Sequence, residues 1–456
     1  MYHKTYSLIY AFILFIVFGS SVTCAAEQPI AIFHAFDEFY DKINVCDRAK
    51  EGYSHIQIAP AQRSNPKQRN EWFYRYQPVE YDKIEGRGSE EALKKLIDKA
   101  SSCKPEIKVI ADVVFNHMAS EREFDLKKDF PEFSEQDFFH DRRCSIDFND
   151  PNRSRGREVD CSLGDLPDLD QSRENVRDVH KAHLKKLIGL GIGGFRFDAA
   201  KHMSQEVVKE YIDFIDTESN GNTWNYLEVI EDGVTGAEAY NGIAAVTDFI
   251  LYNSMKDAFV FGDLRTFPPK DVADPRSVTF GENHDTIRKL NPEFAINPNP
   301  SAINPYDDRS DAQLATAFVL ARESGTPLIF SQDNLVSYIP TGVKFRRIMH
   351  DRGKEGRNVK ENIRKVIDRS TMLIMERGDE GFFVLNKAKE KFDIPVLDMT
   401  RTNLEGCYRE LRNDFTVAIE RRDKSKFVTR WGTGSRGGME VHGRDALYFI
   451  REPSGC

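Results

Sequence analysis

Several features are missing from this sequence, and each absence argues against a class of protein. After residue 26, no apolar run is long enough to cross a bilayer as a helix, which argues against an integral membrane protein. Basic residues are not in excess: 64 Lys and Arg stand against 73 Asp and Glu, and the net charge of −9 disfavours a nucleic-acid partner. No Cys-x-x-Cys motif occurs, so neither a zinc ribbon nor a dithiol redox site is expected.

The composition is that of a globular protein. Hydrophobic residues make up 40% of the chain and charged residues 30%, and there are no internal repeats or low-complexity tracts. With 456 residues, the chain is too long for one simple core and long enough for two or three domains.

The longest apolar run lies at the N-terminus. Residues 8–18 are apolar without interruption but too few to span a bilayer, and small residues predominate over 19–26. Residues 1–26 therefore resemble a cleaved secretory signal, which predicts a secreted or periplasmic protein without stable membrane association. Cleavage would remove Lys4 and change the net charge from −9 to −10. A lipoprotein signal at Cys24 and a retained N-terminal anchor are the alternatives.

Six of the seven cysteines follow this segment. An even number in a secreted chain predicts disulfides, but six cysteines allow fifteen connectivities and counting does not choose among them. The six are Cys46, Cys103, Cys144, Cys161, Cys407 and Cys456.

Strand-like and helix-like segments alternate through the middle of the chain. Strands are predicted at 53–58, 107–115, 194–197, 224–227, 244–248, 277–280 and 326–330. Helices are predicted at 89–100, 172–190 and 204–216. Alternation of this kind over about 350 residues predicts a parallel α/β architecture.

Two regions interrupt the alternation. Residues 118–170 are polar and too numerous for a loop, which predicts a small inserted subdomain. From residue 373 onward, short strands separated by Gly turns predict an all-β C-terminal domain, 373–456. The segments 27–117 and 171–372 then form the main α/β domain.

Charged residues and histidines collect where the predicted strands end. They are Asp112 and His117, Arg196 and Asp198, Glu228, and His284 and Asp285. In a (β/α)8 TIM barrel, the C-terminal strand ends converge on one face, where active sites lie, so residues far apart in sequence would share one pocket. The sequence therefore predicts such a barrel, with the subdomain inserted after its third strand.

The densest cluster is at residues 193–202. Arg196 precedes Asp198 by two residues, so on a strand both side chains point the same way. A buried charge must be paired or used, which leaves two interpretations: a structural Arg–Asp salt bridge or a catalytic site. Taken singly, each carboxylate is also compatible with an ordinary surface position.

Three carboxylates suit cleavage of an acetal at a sugar, which needs one ionised group to attack and one protonated group to release the leaving oxygen. The three are Asp198, Glu228 and Asp285. Arg196 favours the charged form of Asp198, which suits a nucleophile, and neighbouring carboxylates favour a protonated Glu228, which suits a general acid. Glu231 and Asp232 lie nearby in sequence but are expected to point elsewhere.

Five short motifs occur over residues 30 to about 370. They read DVVFNH at 112–117, LPDLD at 166–170, GFRFDAAKH at 194–202, EV at 228–229 and FGENHD at 280–285. In order and spacing they resemble the motifs of the α-amylase family of glycoside hydrolases. The resemblance implies a monomeric, calcium-binding, retaining endo-α-1,4-glucan hydrolase that acts on starch, glycogen and maltooligosaccharides.

The resemblance also implies residue roles. Asp198 would form a covalent β-glycosyl intermediate, Glu228 would act as acid and then base, and Asp285 would stabilise the transition state. Substrate contacts are implied for Tyr76, Trp72, Phe73, Gln77, His117, Arg196, Lys201, His202 and His284. The alternatives are a core position for the aromatic residues and a structural role for His117 and His284.

A calcium site is implied by the same resemblance. Its ligands would be the side chains of Asn116 and Asp168 and the backbone carbonyls of His202 and Val159, a set of hard oxygen donors that suits this ion. The alternative is a direct hydrogen bond between Asn116 and Asp168 without a metal.

Three features depart from animal-type members of the family. These bind chloride through two basic residues and an asparagine; Arg196 and Asn283 match two of the three, and the third position has no basic residue, so chloride is not expected. Family members of this type have a glycine-rich loop after the motif that corresponds to FGENHD at 280–285, and here residues 286–290 take its place. Glu282 has no assigned role.

The resemblance selects Cys46–Cys103 and Cys144–Cys161 as disulfides, which leaves Cys407–Cys456. Two other functions remain open on the same machinery, a 4-α-glucanotransferase and an α-glucosidase. A carbohydrate-binding pseudoenzyme is the alternative from a different class.

Overall fold

The computed structural model describes residues 26–139, 144–287, 309–364, 370–398, 402–423, 425–431 and 438–456. The proposed signal over 1–26 lies outside this set except for its last residue, so it stays a prediction. In the ranges described, no helix has the length and apolar character needed to cross a membrane.

Eight parallel strands form the central sheet. They are β1 (Ile32–Ala35), β2 (His55–Ile58), β3 (Lys108–Val113), β4 (Gly194–Phe197), β5 (Trp224–Leu227), β6 (Ala245–Val246), β7 (Val278–Thr279) and β8 (Thr326–Phe330). Successive strands pair from β1 to β6, β8 pairs with both β7 and β1, and a bridge between Thr247 and Val278 links β6 to β7. The ring confirms the predicted (β/α)8 barrel. Its first strand, β1, was not among the predicted strands.

Helices cover the outside of the barrel and link its strands. They are α1 (Val45–Glu51), α2 (Glu90–Ser102), α4 (Glu174–Leu190), α5 (Gln205–Glu218), α6 (Phe249–Lys256), α7 (Arg309–Ala321) and α8 (Tyr338–Lys354), with α3 (Arg155–Asp160) outside this ring. The Ser89 and Ser204 side chains each accept a backbone N–H in the first turn of α2 and α5, as expected of capping residues. Gly191 ends α4 with φ 101°, a conformation that favours glycine.

Residues 118–170 follow β3, and their described part contains α3 and the disulfide Cys144–Cys161. Bridges from His117 to Asp168 and from Phe138 to Leu169 hold the ends of this segment together beside the barrel. A second inserted segment follows β2 and was not predicted. It contains the antiparallel strands Gln62–Ser64 and Pro78–Ile84. Both segments lie beyond the C-terminal ends of their strands, so they cover the C-terminal face of the barrel.

The C-terminal part of the chain is an antiparallel β domain. Its strands are β9 (Glu361–Arg364), β10 (Met372–Arg377), β11 (Gly381–Asn386), β12 (Phe392–Ile394), β13 (Val396–Asp398), β14 (Gly406–Glu410), β15 (Thr416–Arg422), β16 (Ser425–Trp431), β17 (Met439–Val441) and β18 (Asp445–Arg451). The larger sheet has the order β9-β10-β11-β18-β14-β15-β16-β13, and β12 pairs with β17. Antiparallel pairing begins at Glu361, before residue 373, where the sequence places the start of this domain.

Disulfides join the two pairs that the resemblance selects, Cys46–Cys103 and Cys144–Cys161, and the remaining pair, Cys407–Cys456. The first joins α1 to the end of α2, and the last ties the C-terminus to β14. These pairings are confirmed. They cross-link the barrel, the inserted segment and the β domain separately, so none of them bridges two of these parts.

Candidate active site

A cleft of about 680 Å³ opens at the C-terminal face of the barrel. Residues predicted for the site that line it are Asp198, Glu228, Asp285, Trp72, Phe73, Tyr76, His117, Lys201, His202 and His284. Phe148, Leu163 and Leu166 from the inserted segment line it as well. The barrel therefore brings together residues that are more than 200 positions apart in sequence.

Two of the three carboxylates, Asp198 and Glu228, directly follow a barrel strand, and Asp285 lies six residues after one. The backbone N–H of Asp198 donates to the Val113 carbonyl at 2.9 Å, and the N–H of Glu228 donates to the Phe197 carbonyl at 2.9 Å, which continues the parallel pairing beyond β4 and β5. Asp285 lies in a turn after β7, where the Asn283 Oδ1 accepts its N–H at 3.0 Å. Backbone pairing therefore holds Asp198 and Glu228, and a side-chain contact within the turn holds Asp285.

Arg196 contacts the carboxylates of Asp112, Asp198 and Glu228. Its Nη1 donates to both oxygens of Asp112, at 2.8 and 2.7 Å, and to Asp198 Oδ1 at 2.9 Å, and its Nη2 donates to Glu228 Oε1. Asp112 also accepts the Tyr76 hydroxyl at 2.9 Å. The expected contact between Arg196 and Asp198 therefore exists, but it is one part of a larger network in which Arg196 is buried and does not line the cleft.

Burial and Arg196 act in opposite directions on the protonation of this network. Burial raises the pKa of Asp198 well above its ordinary value, with Glu228 and Asp112 adding to the rise and Arg196 opposing it. Burial also raises the pKa of Asp285 well above its ordinary value and that of Asp112 to about 6. Arg196 therefore favours the ionised form of Asp198, as expected, while burial and the neighbouring carboxylates oppose it, and the ionised state of Asp198 stays a prediction.

Two neutral histidines form part of the cleft wall. Burial lowers the pKa of His117 to about 4 and that of His284 well below its ordinary value, so both act as hydrogen-bonding groups and not as cations. The His117 Nε2 lies 2.9 Å from the Tyr76 carbonyl, which assigns the proton to that nitrogen. The His284 Nε2 lies 3.2 Å from Asp285 Oδ2.

The aromatic residues differ in how far they face the cleft. Tyr76 is 8% exposed, and its ring stacks on His284 with 4.9 Å between ring centroids and 7° between planes. Trp72 and Phe73, from the same short helical segment, are more exposed on the cleft wall. Gln77 does not line the cleft; its side-chain oxygen accepts from Asn65 Nδ2 at 2.6 Å.

Lys201 and Asp232 connect the cleft rim to the inserted segment. Lys201 Nζ donates to Asp232 Oδ2 at 2.6 Å, and Arg153 Nη2 donates to the same oxygen at 2.8 Å. The expectation that Glu231 and Asp232 point elsewhere is wrong, since both line the cleft. The loop after β5 is folded back along the wall, because Glu231 Oε1 also accepts the Ala237 N–H at 2.9 Å.

The residues proposed for calcium fit that ion. Asn116 and Asp168 are fully buried, and Asn116 Oδ1 has no hydrogen-bond partner within the described residues, an arrangement that costs free energy unless another group binds the oxygen. The backbone brings the two together, because the Leu169 N–H donates to the Asn116 carbonyl at 2.9 Å. His202 Nδ1 lies 2.9 Å from the Glu158 carbonyl, next to Val159.

Within the described ranges, no group of three or more His, Cys, Asp and Glu side chains could hold a metal. The proposed calcium set is of a different kind, with one carboxylate, one amide and two backbone carbonyls. Hard oxygen donors of these three kinds are the ligands that calcium accepts.

Comparison with known proteins gives a consistent family. The α-amylase catalytic-domain model matches residues 49–263. An α-amylase of Phaedon cochleariae is 30% identical over 329 residues, which are 66% of this chain and 64% of that protein, so the match spans slightly less than two thirds of its length. An α-amylase-related protein of Drosophila ananassae is 28% identical over 353 residues, 69% of this chain and 68% of that one.

Solved structures share the fold. A mutant of α-amylase I from Eisenia fetida, in complex with maltohexaose, superposes with a TM-score of 0.71 at 20% identity, covering 92% of this chain and 98% of that one. An α-amylase from Geobacillus thermoleovorans, complexed with acarbose, superposes with a TM-score of 0.66 at 18% identity, covering 93% and 98%. At these identities the likeness concerns the fold.

Proposed function

Because this chain belongs to the α-amylase family of glycoside hydrolases, we propose that it is a secreted, retaining endo-α-1,4-glucan hydrolase. One observation carries the proposal: Asp198, Glu228 and Asp285 line a single cleft at the ends of β4, β5 and β7. Acetal hydrolysis with retention needs two carboxyl groups with separate roles, and a third that binds sugar hydroxyls strengthens the transition state.

The spacing of the first two carboxyl groups favours retention. Adjacent nitrogens of one guanidinium, that of Arg196, contact Asp198 and Glu228. This short bridge suits the separation of about 5–5.5 Å used by retaining enzymes better than the roughly 6.5–9.5 Å that leaves room for a water in inverting ones.

In the proposed mechanism, Asp198 attacks the anomeric carbon while Glu228 donates its proton to the glycosidic oxygen. The leaving sugar departs, Glu228 then removes a proton from water, and that water cleaves the glycosyl–Asp198 bond. Asp285 accepts hydrogen bonds from sugar hydroxyls as the ring flattens. Burial raises the pKa of Asp198, whereas Arg196 and the cationic character of the transition state favour the ionised form that attacks.

Cleavage within a chain is supported by the groups that line the cleft with the carboxylates. Trp72 and Phe73 supply aromatic surface, and Lys201 and Asp232 supply polar groups. Sugar rings pack on aromatic faces and their hydroxyls bind charged groups, so a cleft of about 680 Å³ can hold more than one glucose unit.

Calcium would be held by the side chains of Asn116 and Asp168 and by the carbonyls of His202 and Val159. When bound, it would supply a positive charge that cross-links the inserted segment to the loop after β4. The mechanism above takes no step through the ion.

The test is a product profile on soluble starch, with the anomeric configuration of new ends read by NMR. We expect a rapid fall in chain length and products that first appear as the α-anomer. Products as the β-anomer would exclude retention, release of glucose only from chain ends would indicate an α-glucosidase, and products longer than a maltoheptaose substrate would indicate transfer. Binding of maltodextrin without any new reducing ends would indicate a pseudoenzyme.

A further inference from the structure

Glu282 lies directly before the turn that carries His284 and Asp285, and it has a buried set of partners outside the cleft. Its Oε1 accepts from Arg309 Nε at 2.9 Å, and Arg309 Nη2 donates to Asp333 Oδ1 at 3.3 Å. The side chain of Glu282 is 4% exposed and that of Asp333 is 0% exposed. One arginine therefore faces two buried carboxyl groups.

The two carboxyl groups compete for one guanidinium. Arg309 contacts both of them, and two buried carboxylates that face a single cation do not both ionise without cost. Burial raises the pKa of Glu282 well above its ordinary value, Asp333 raises it further, and Arg309 opposes the rise. One proton shared between the two acids, with one charge on Arg309, would make the group of three electrically neutral.

The three residues come from three elements that meet behind the cleft. Glu282 follows β7, Asp333 follows β8 and Arg309 is the first residue of α7. Asp333 Oδ2 also accepts from Thr316 Oγ1 of α7 at 3.2 Å. The chain after β7 lies against α7 at backbone contact, since a Cβ at Gly281 would come within 2.3 Å of the Ala312 carbonyl oxygen.

Hydrogen bonds within residues 283–286 connect Glu282 to the turn that carries Asp285. The Asn283 N–H donates to Thr286 Oγ1 at 2.8 Å, and the N–H groups of Asp285 and Thr286 both donate to Asn283 Oδ1 at 3.0 Å. The turn is therefore rigid, and its orientation depends on how Glu282 is held. Asp285 is three residues after Glu282, so a shift at Glu282 would also displace the Asp285 carboxylate.

We propose that Arg309, Glu282 and Asp333 form a proton-sharing clamp that positions the turn bearing His284 and Asp285. They are positioning residues, and none of them lines the cleft. The proposal rests on the proposed function in one respect, because it takes Asp285 to act in turnover.

Other groups facing the clamp do not titrate near neutral pH. Tyr252 of α6 faces Glu282, and Tyr53 and Tyr338 face Asp333. Burial raises the pKa of each of these phenols above its ordinary value, so all three stay neutral. The shared proton is therefore the charge that changes at the clamp as pH rises.

Replacement of the arginine tests the positioning role. In Arg309→Gln we expect kcat on maltoheptaose to fall at least about tenfold with KM within about twofold, because a displaced Asp285 weakens transition-state binding more than substrate binding. The matched control is Arg412→Gln, which breaks a two-bond contact with Asp445 in the β domain, at 2.8 and 2.7 Å. That control should lower the melting temperature and leave kcat unchanged. An Arg309→Gln protein with the kcat of its control overturns the positioning role.

Proton sharing is tested by Asp333→Asn, without substrate. A protonated Glu282 contributes stability that is present below its unfolded pKa and lost as pH rises through the raised folded value. An amide at position 333 removes the like charge, so Glu282 ionises against Arg309 at lower cost. We expect the melting temperature of the variant, relative to that of the wild type, to rise steadily from pH 5 to pH 9. Parallel curves overturn proton sharing.

The two tests separate the clamp from the proposed function. A wild-type protein that does not hydrolyse α-glucan defeats the proposed function, and the pH dependence of the melting temperature still decides whether the proton is shared. A wild-type protein that hydrolyses starch but gives parallel melting curves defeats the clamp alone.

Discussion

The two faces of the barrel use buried arginines in opposite ways. On the catalytic face, Arg196 contacts three carboxyl groups, which raise its pKa above the ordinary value. On the opposite face, all hydrogen bonds of Arg346 and Arg377 within the described residues go to backbone carbonyls, at the end of α7 and in the chain around it. Burial and the nearby Arg377 lower the pKa of Arg346 to about 9.

This difference separates charge held for chemistry from charge held for assembly. Carboxylates in excess over cations keep protons that can move, which a glycoside hydrolase needs. Carbonyl oxygens neither gain nor lose protons, so Arg346 and Arg377 instead satisfy the free carbonyls at the C-terminal end of α7 and join it to α8 and β10. Substitutions on the first face should therefore alter turnover, and those on the second should alter stability.

The largest expected effect tests the catalytic face. Asp198→Asn removes the attacking charge, and we expect kcat on starch to fall by at least about 10⁴-fold while maltoheptaose binding persists. The matched control is Glu231→Gln, which alters a carboxylate of the same cleft whose oxygen accepts the Ala237 N–H. We expect that variant to keep activity within about tenfold. Comparable losses in the two variants would remove the distinction between Asp198 and its neighbours.

The opposite face is tested by Arg346→Gln. Its guanidinium donates to the carbonyls of Ile30, Arg322 and Gly325, so a shorter side chain leaves several buried carbonyls unsatisfied. We expect a loss of about 3 kcal/mol in the free energy of unfolding, with kcat per folded molecule unchanged. Lys354→Gln, an exposed site on the same helix, should cost about 0.5 kcal/mol or less. A fall in kcat at full folding would show that this face also serves catalysis.

Features of the two faces that depend on local sequence patterns could be predicted, and those that depend on contacts between distant residues could not. The strands Gly194–Phe197 and Trp224–Leu227 match their predicted bounds, because an apolar run before a polar cluster is a local signal. The strand Ile32–Ala35 escaped prediction because four residues with a buried histidine give little periodicity. Local patterns thus identified most strands of the barrel but missed a strand of only four residues.

Partners set by tertiary register could not be predicted in this way. Asp112 stands opposite Arg196 in the pairing of β3 with β4, a relation between residues 84 positions apart. The contacts of Arg309 with Glu282 and Asp333 likewise depend on β7 and β8 lying side by side. Burial raises the pKa of Asp198, and the carboxyl groups that converge on Arg196 add to the rise; a single motif contains only one of these groups. Motifs identified the reacting groups, while their protonation needed the fold.

Removal of calcium should weaken the catalytic face and spare the other. The proposed ligands Asn116 and Asp168 hold the inserted segment to the barrel. A chelator should lower the melting temperature, since an ion at 100 times its Kd contributes about 2.7 kcal/mol. Added calcium should restore it, and Asn116→Ala should respond less to both. An unchanged wild-type melting temperature would argue that no metal is bound there.

The smallest expected effect concerns the stability cost of the catalytic charges. The pKa of Asp198 is raised in the folded protein, so its contribution to stability is present below the unfolded pKa and is lost as pH rises through the folded value. Asparagine resembles the protonated form at every pH. We therefore expect Asp198→Asn to gain on the wild type by at least about 1 kcal/mol between pH 5 and pH 8, measured by urea unfolding. Asp213→Asn, at an exposed carboxylate on α5, should show no such trend. If the two variants show the same pH dependence, the carboxylates of the catalytic face cost no stability. The charged groups of the two faces would then differ in position and not in their effect on stability.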